Sequence, residues 1–202
     1  MKHIITVQHT QSVHHTNGMV GSWTDWDLTE FGKKQADNIG KKLKEKFTGK
    51  TAVIYSSDLK RAKQTAEAIA KHLGTEPIFR QELRERNLGK CCGKSVEWLR
   101  ENIEHPEKTI DDRLFSDAES RRDVWNRLQP FFNEVMESDE ENVIIVSHGD
   151  LLSIWNAMYI GLPAESCCQV EIHGPSGGVS HMILDDDGKH RVRHINDMSY
   201  II

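Results

Sequence analysis

The chain has 202 residues, 37% apolar and 28% charged, which suits one globular domain with a real core and excludes disordered and collagen-like classes. Its 26 Lys and Arg against 31 Asp and Glu leave a formal charge of -5, with a pI near 6.1. That lacks the global basicity of phosphate-backbone binders, so no nucleic-acid partner is expected, although a local pocket for one small anion remains open.

In chain order, the amino-terminal run Ile4 to Val7 is too short for a signal h-region and reads as a buried strand that meets polar residues at Gln8. No stretch approaches the roughly 20 apolar residues of a membrane span, so no membrane association is expected. After a long loop, Thr29 is placed to cap a helix from Glu30 to Phe47, with Phe31, Ala36, Ile39 and Leu43 at helical spacing. Ala52 to Tyr55 reads as a second strand. A helix capped by Ser57 or Asp58 follows, carrying Leu59, Ala62, Ala66, Ile69 and Ala70 on one face. The charge-rich stretch from about 93 to 140 predicts two helices around a polar linker with Pro106 and Asp111-Asp112. Its Trp98, Trp125 and Phe115 are read as the core of a small helical cap. Val143 to Val146 is the most apolar short strand, followed by Ser147-His148-Gly149-Asp150 and a helix with Leu151, Leu152, Ile154, Trp155 and Met158. Three alternating segments close the chain, Val170 to His173, Val179 to Leu184 and Val192 to Ile195, with hairpin turns expected between them.

This order predicts an α/β three-layer sandwich: a mostly parallel central sheet with helices on both faces and a small cap, in a single domain spanning 1-202. Ligands of such sheets sit beyond the carboxyl ends of the strands. Two histidines occupy that place, His9 after the first strand and His148 after Val143 to Val146. A lone histidine at a strand end is more often an ordinary loop residue, but two in one sheet point to chemistry. Arg61, near the start of the helix after the second strand, offers a planar donor fork to an oxyanion in the same crevice.

Several strings then fall into place together. They are His9 itself, Ser22-Trp23-Thr24-Asp25-Trp26-Asp27-Leu28-Thr29-Glu30-Phe31-Gly32, Tyr55-Ser56-Ser57-Asp58-Leu59-Lys60-Arg61-Ala62-Lys63-Gln64-Thr65-Ala66, Leu83-Arg84-Glu85-Arg86-Asn87-Leu88-Gly89 with Gly93, and Val146-Ser147-His148-Gly149. In this order they resemble the histidine phosphatase superfamily, also called phosphoglycerate mutase-like, over nearly the whole chain. The resemblance implies a metal-independent phosphomonoester hydrolase without a cofactor, acting on a small phosphorylated metabolite. His9 is implied as the nucleophile that carries a phosphohistidine, with Arg61 and His148 clamping the phosphoryl oxygens and Glu85 as proton donor. Gln8, Asn17, Ser22 and Gly149 are carried over as phosphate or substrate contacts. Mutase-type phosphoryl transfer and a catalytically weak phosphoester-binding or regulatory protein are the alternatives.

The chain departs from the family pattern at Gln8-His9-Thr10, where Arg-His-Gly is usual. A neutral Gln keeps donors but loses a charge-assisted pair of about 1.5 to 3 kcal/mol. That loss is expected to raise the pKa of the nucleophile, and His14 or His15 is a candidate replacement cation. His15 also takes the position of the family asparagine, leaving Asn17 two residues further on. Gly174 to Gly178 satisfies G-x-S-x-G but lacks the helix that a nucleophile elbow needs after it, and reads as a hairpin turn. Gly89 to Ser95 is one residue short of a P-loop. A metal hydrolase using His9, His14, His15 and Asp25 is a weak competitor, to be separated by chelator-insensitive turnover. The cysteines Cys91-Cys92 and Cys167-Cys168 lack metal spacing and read as reduced thiols, so a cytoplasmic location is expected. Oligomeric state is not legible.

Overall fold

The computed structural model describes residues 1–202. Its centre is a six-stranded sheet in the order β3-β2-β4-β1-β5-β6, formed by β1 (Lys2–Gln8), β2 (Val53–Ser57), β3 (Pro77–Arg80), β4 (Asn142–Ser147), β5 (Val179–Leu184) and β6 (His190–Asp197). The first four strands run parallel, while β5 lies antiparallel on β1 and β6 antiparallel on β5. The helices are α1 (His14–Asn17), α2 (Glu30–Lys46), α3 (Lys60–Leu73), α4 (Val96–Asn102), α5 (Arg121–Glu137) and α6 (Gly149–Tyr159).

The period-two pleat sends neighbouring residues to opposite faces. Ile5, Val7, Ile144 and Val146 pack under α2 and α3 with Ile39, Leu43, Ala62, Ala66 and Ile69. Ile4, Val143 and Ile145 pack under α5 and α6 with Leu128, Phe131, Leu151 and the fully buried Trp155. Strands covered on both faces must be apolar throughout, which is why β1 and β4 read as continuous apolar runs. The expected sheet, with helices on both faces, is the one observed.

Helix ends follow local chemistry. Thr29 Oγ1 accepts from Gly32 N at 3.0 Å and caps α2 as expected. Gly32 is obligatory there, because a Cβ would stand 1.9 Å from the Gln11 carbonyl oxygen. α3 starts one to two residues later than expected. Leu59 is its N-cap, Ser57 Oγ accepts from Leu59 N at 3.2 Å, and Asp58 is instead held by Arg84 at 2.6 and 2.7 Å. Two helices do occur in the charge-rich middle, α4 capped by Ser95 and α5 by a Ser120–Asp123 capping box. Trp98 and Phe115 stack at 5.9 Å in a small cluster with Val20, Cys91 and Ala118, whereas Trp125 leans on the large core beside α6.

One strand and one turn expectation need correction. Val170 to His173 is not a strand. Its alternation is real, but its backbone is pinned to α6 by side chains: Ile172 N donates to Ser153 Oγ at 2.7 Å and Asn156 Nδ2 donates to Ile172 O at 2.7 Å. Gly174 to Gly178 is therefore a loop leading into β5 rather than a hairpin turn. The hairpin at Asp185 to Lys189 between β5 and β6 is present. No helix is long and apolar enough to cross a membrane.

Candidate active site

β1 and β4 are neighbours, with Gln8 opposite Ser147 at their carboxyl ends. The chain leaves β1 toward α2 and β4 toward α6, on opposite faces, so a crevice opens beyond these two ends. His9 N continues the ladder by donating to Ser147 O at 2.9 Å, which sets His9 beside His148 with ring centroids 5.1 Å apart.

The proton on His9 is placed by its neighbours. Nδ1 lies 2.9 Å from Thr10 O, an atom that can only accept, so Nδ1 carries the hydrogen. Nε2 lies 3.1 Å from Arg61 Nε, an atom that can only donate, so Nε2 keeps its lone pair. Arg61 is 1% exposed, and its guanidinium plane is held by Nη1 donating to Thr24 O at 2.7 Å and Nη2 to Ser22 O at 2.8 Å. The Ser22 to Gly32 string thus supplies backbone acceptors that aim the arginine. Ser22 adopts φ 44, a left-handed conformation that costs a non-glycine residue about 1 kcal/mol. Its hydroxyl offsets this by donating to Arg86 O and accepting from Leu88 N, both at 2.8 Å.

Electrostatics complete the arrangement. Burial, and then the Arg61 charge, hold the His9 and His148 imidazoles well below the ordinary histidine range. His9 is therefore neutral at physiological pH despite the missing arginine, so the expected rise in its pKa does not materialise as a protonated nucleophile. Glu85 is pushed up to about 7, chiefly by withdrawal from water and then by the Asp150 carboxylate. Bonds from Arg86 N at 2.9 Å, Asp150 N at 3.3 Å and Leu151 N at 3.2 Å act in the other direction. Arg61 is drawn down to about 10 by burial and stays charged.

These groups border a pocket of about 440 Å³ whose lining includes Gln8, His9, Ser22, Arg61, Glu85 and Gly149. His148 stands behind His9, with Nε2 on Ser57 Oγ at 2.8 Å and Nδ1 buried without a protein partner. Asn17 is not brought to the pocket. It is exposed at the end of α1, where its side-chain oxygen accepts from Met19 N at 3.0 Å, because a shift of two residues on a single helical turn redirects the side chain. His14 and His15 line the pocket instead. Both are drawn below the ordinary histidine range: burial and the adjacent His15 take His14 down to about 3, and burial with Arg61 lowers His15. Thr10 points away, its hydroxyl donating to Gly32 O at 2.8 Å, so its bulk leaves the space beside Gln8 untouched.

A protein-family model described as "Histidine phosphatase superfamily (branch 1)" matches residues 4–198. The chain belongs to that superfamily. It is similar to a Hydrogenobacter thermophilus relative bearing a phosphoserine phosphatase name, 28% identical over 93% of this chain and 92% of the relative. It is also similar to a 2,3-bisphosphoglycerate-dependent phosphoglycerate mutase from Bartonella tribocorum, 31% identical over 84% of this chain and 86% of the relative. The solved structure of Bacillus stearothermophilus YhfR superposes with a TM-score of 0.84 at 25% identity, covering 100% of both chains.

Three imidazoles, those of His9, His14 and His15, have ligand atoms within 4.8 Å of one another, as a metal site requires. The donor chemistry does not fit. The His9 lone pair faces a guanidinium cation at 3.1 Å, and Nδ1 of His15 accepts from Ser12 N at 3.1 Å. Histidine phosphatase chemistry, with the lone pair reserved beside a cation, fits the same atoms without change. Arg86, Asp150, His173 and Ser176 also line the pocket and were not among the expected site residues. For Arg86 and Asp150 the available signal was adjacency, since they follow Glu85 and Gly149 directly. Ser176 is placed by Gly177, whose N–H donates to Gln8 O and His9 O at 3.1 and 3.2 Å. With φ +85, Gly177 tolerates no side chain, because a Cβ would stand 2.7 Å from Ile201.

Proposed function

We propose that the chain is a metal-independent phosphomonoester hydrolase in which His9 Nε2 attacks phosphorus in line and the ester oxygen leaves. The observation that carries this is the His9 lone pair, held neutral at 3.1 Å from a buried, charged Arg61. Arg61 and His148 stabilise the equatorial oxygens, a phosphoryl oxygen supplying the acceptor for the unpartnered His148 Nδ1. Glu85, with a pKa of about 7, protonates the departing alkoxide and then accepts a proton from the water that hydrolyses the phosphohistidine. Gly149 opens α6 at the pocket, where its backbone N–H and the positive end of the helix favour an anion. Gln8 offers an amide where a cation is usual, so the clamp is weaker by one charge. The 440 Å³ pocket suits a small phosphorylated metabolite. Residues 93–140, with α4 and the Trp98–Phe115 cluster, serve as the cap within a single domain. Four free thiols suit a reducing cytoplasm.

Mutase-type transfer is the second reading, carried by the Bartonella relative. A chelator-treated preparation screened against sugar phosphates, an aryl phosphate and 3-phosphoglycerate decides between them. Phosphate release from monoesters supports hydrolysis. Isomerisation of 3-phosphoglycerate without net phosphate release replaces it by the mutase reading, and loss of all turnover on chelation overturns metal independence.

A further inference from the structure

Beyond the phosphoryl clamp, the pocket wall carries Arg86, Asp150 and His173. Arg86 is already committed to the protein's own carboxylates. It is ion-paired with Glu107, its Nε lies 3.4 Å from Asp150, and its side chain is only 5% exposed. Glu107 is shared with Arg121 at 2.9 Å, and Arg121 also holds Glu171 at 2.8 Å. His173 Nδ1 stands 3.7 Å from the same Glu171. Two guanidiniums thus face three carboxylates. The excess is negative, and within the pocket its open member is Asp150, whose side chain is 39% exposed. Glu85 adds a further negative charge whenever it ionises. On the other wall burial draws His14 and His15 below the ordinary histidine range, and the phosphatase reading gives Arg61 to the phosphoryl group.

A substrate with a second anion, such as a carboxylate beside the phosphate, needs an uncommitted cation in the pocket. Beyond Arg61, the one lining guanidinium is Arg86, whose charge is paired with Glu107 and Asp150 although its buried Nε makes no hydrogen bond. An ammonium on the alcohol portion meets the opposite situation, a carboxylate partly in solvent with charge to spare. Resting on the phosphomonoesterase reading of this pocket, we propose that its substrates are phosphate esters of amino alcohols, with Asp150 as the residue that reads the ammonium group. A charge-assisted hydrogen bond of this kind is worth about tenfold in affinity or more.

The test compares kcat/KM of the full chain for phosphoethanolamine, glycerol phosphate and 3-phosphoglycerate, with an aryl phosphate as the control for competence. Phosphoethanolamine should exceed 3-phosphoglycerate by at least about tenfold. Asp150→Asn should lower the phosphoethanolamine to glycerol phosphate ratio by about tenfold. Using that ratio cancels the effect of Asp150 on the Glu85 proton, which every substrate shares. Glu107→Gln, which frees the guanidinium pair, should raise 3-phosphoglycerate relative to glycerol phosphate. Wild-type preference for 3-phosphoglycerate, or a ratio unmoved by Asp150→Asn, overturns the assignment while leaving the phosphatase reading intact. Failure to hydrolyse even the aryl phosphate refutes the phosphatase reading and this assignment with it.

Discussion

Glu85→Gln separates catalysis from stability through one proton. In the folded chain the carboxyl is held at about 7, against about 4.5 for a free glutamate. The unfolded chain therefore ionises this group at lower pH than the folded one, so the penalty is absent below pH 4.5, grows between 4.5 and 7, and is complete above 7. At about 1.4 kcal/mol per unit, the folded state gives up roughly 3 kcal/mol at alkaline pH. Gln carries no ionisable proton, but its amide presents only one acceptor to the N–H groups of Arg86, Asp150 and Leu151, a loss of about 1 to 2 kcal/mol at any pH. The variant should thus be less stable than wild type near pH 5 and at least as stable near pH 8. The stability difference should shift by about 2.5 kcal/mol across that range, read from urea denaturation. Turnover of alkyl phosphates should fall by about 10² to 10⁴, while an aryl phosphate with a good leaving group falls much less. A difference that stays constant with pH removes the buried-proton argument. Equal losses on both substrate types remove Glu85 as proton donor.

The buried imidazoles of His9 and His148, with His14, stay neutral in the folded chain while their unfolded counterparts protonate, so stability present above pH 6.5 should be lost as pH falls. In the Glu85→Gln background each should cost about 1 kcal/mol between pH 6.5 and about pH 5.5, and denaturation curves that do not move contradict this. Gln8→Arg should raise kcat/KM by about one to two orders of magnitude, because it restores a charge to the phosphoryl clamp and Thr10 does not occupy the space. A correctly folded, phosphate-binding variant no faster than wild type shows that the amide is not a weakened clamp. Arg61→Lys cannot reach His9, Thr24 and Ser22 in one plane, so kcat should fall by about 10² or more at full retention of fold, and near-wild-type kcat counts against the fork.

What the chain disclosed in advance depended on burial. β1, β2, β4 and β5 were legible because strands packed on both faces read as apolar runs. β3 was not, since it is a four-residue edge strand that opens on Pro77 and exposes Ile78 and Phe79 at 45% and 38%. Val170 to His173 has strand-like alternation, but its partners are Ser153 and Asn156 on α6, which no period reveals. His9, Arg61, Glu85 and His148 were legible because each sits at a fixed place in the βα pattern or in a specific string. Asn17 was misplaced because its side-chain direction within a loop depends on one turn of helix. The roles of Arg86, Glu107 and Arg121 lie in an ion-pair network between segments far apart in the chain, and such pairing leaves no local signature.

The most direct measurement is a rapid-quench trap of the phosphoenzyme. The full chain, treated with chelator and mixed with a radiolabelled phosphomonoester, should yield an acid-labile, base-stable phosphate that maps to His9 by peptide mass spectrometry. The label should form and decay fast enough to account for turnover, and His9→Ala should abolish both label and turnover. Turnover without a phosphoenzyme, a label on another residue, or a His9→Ala variant as active as wild type contradicts the phosphohistidine mechanism.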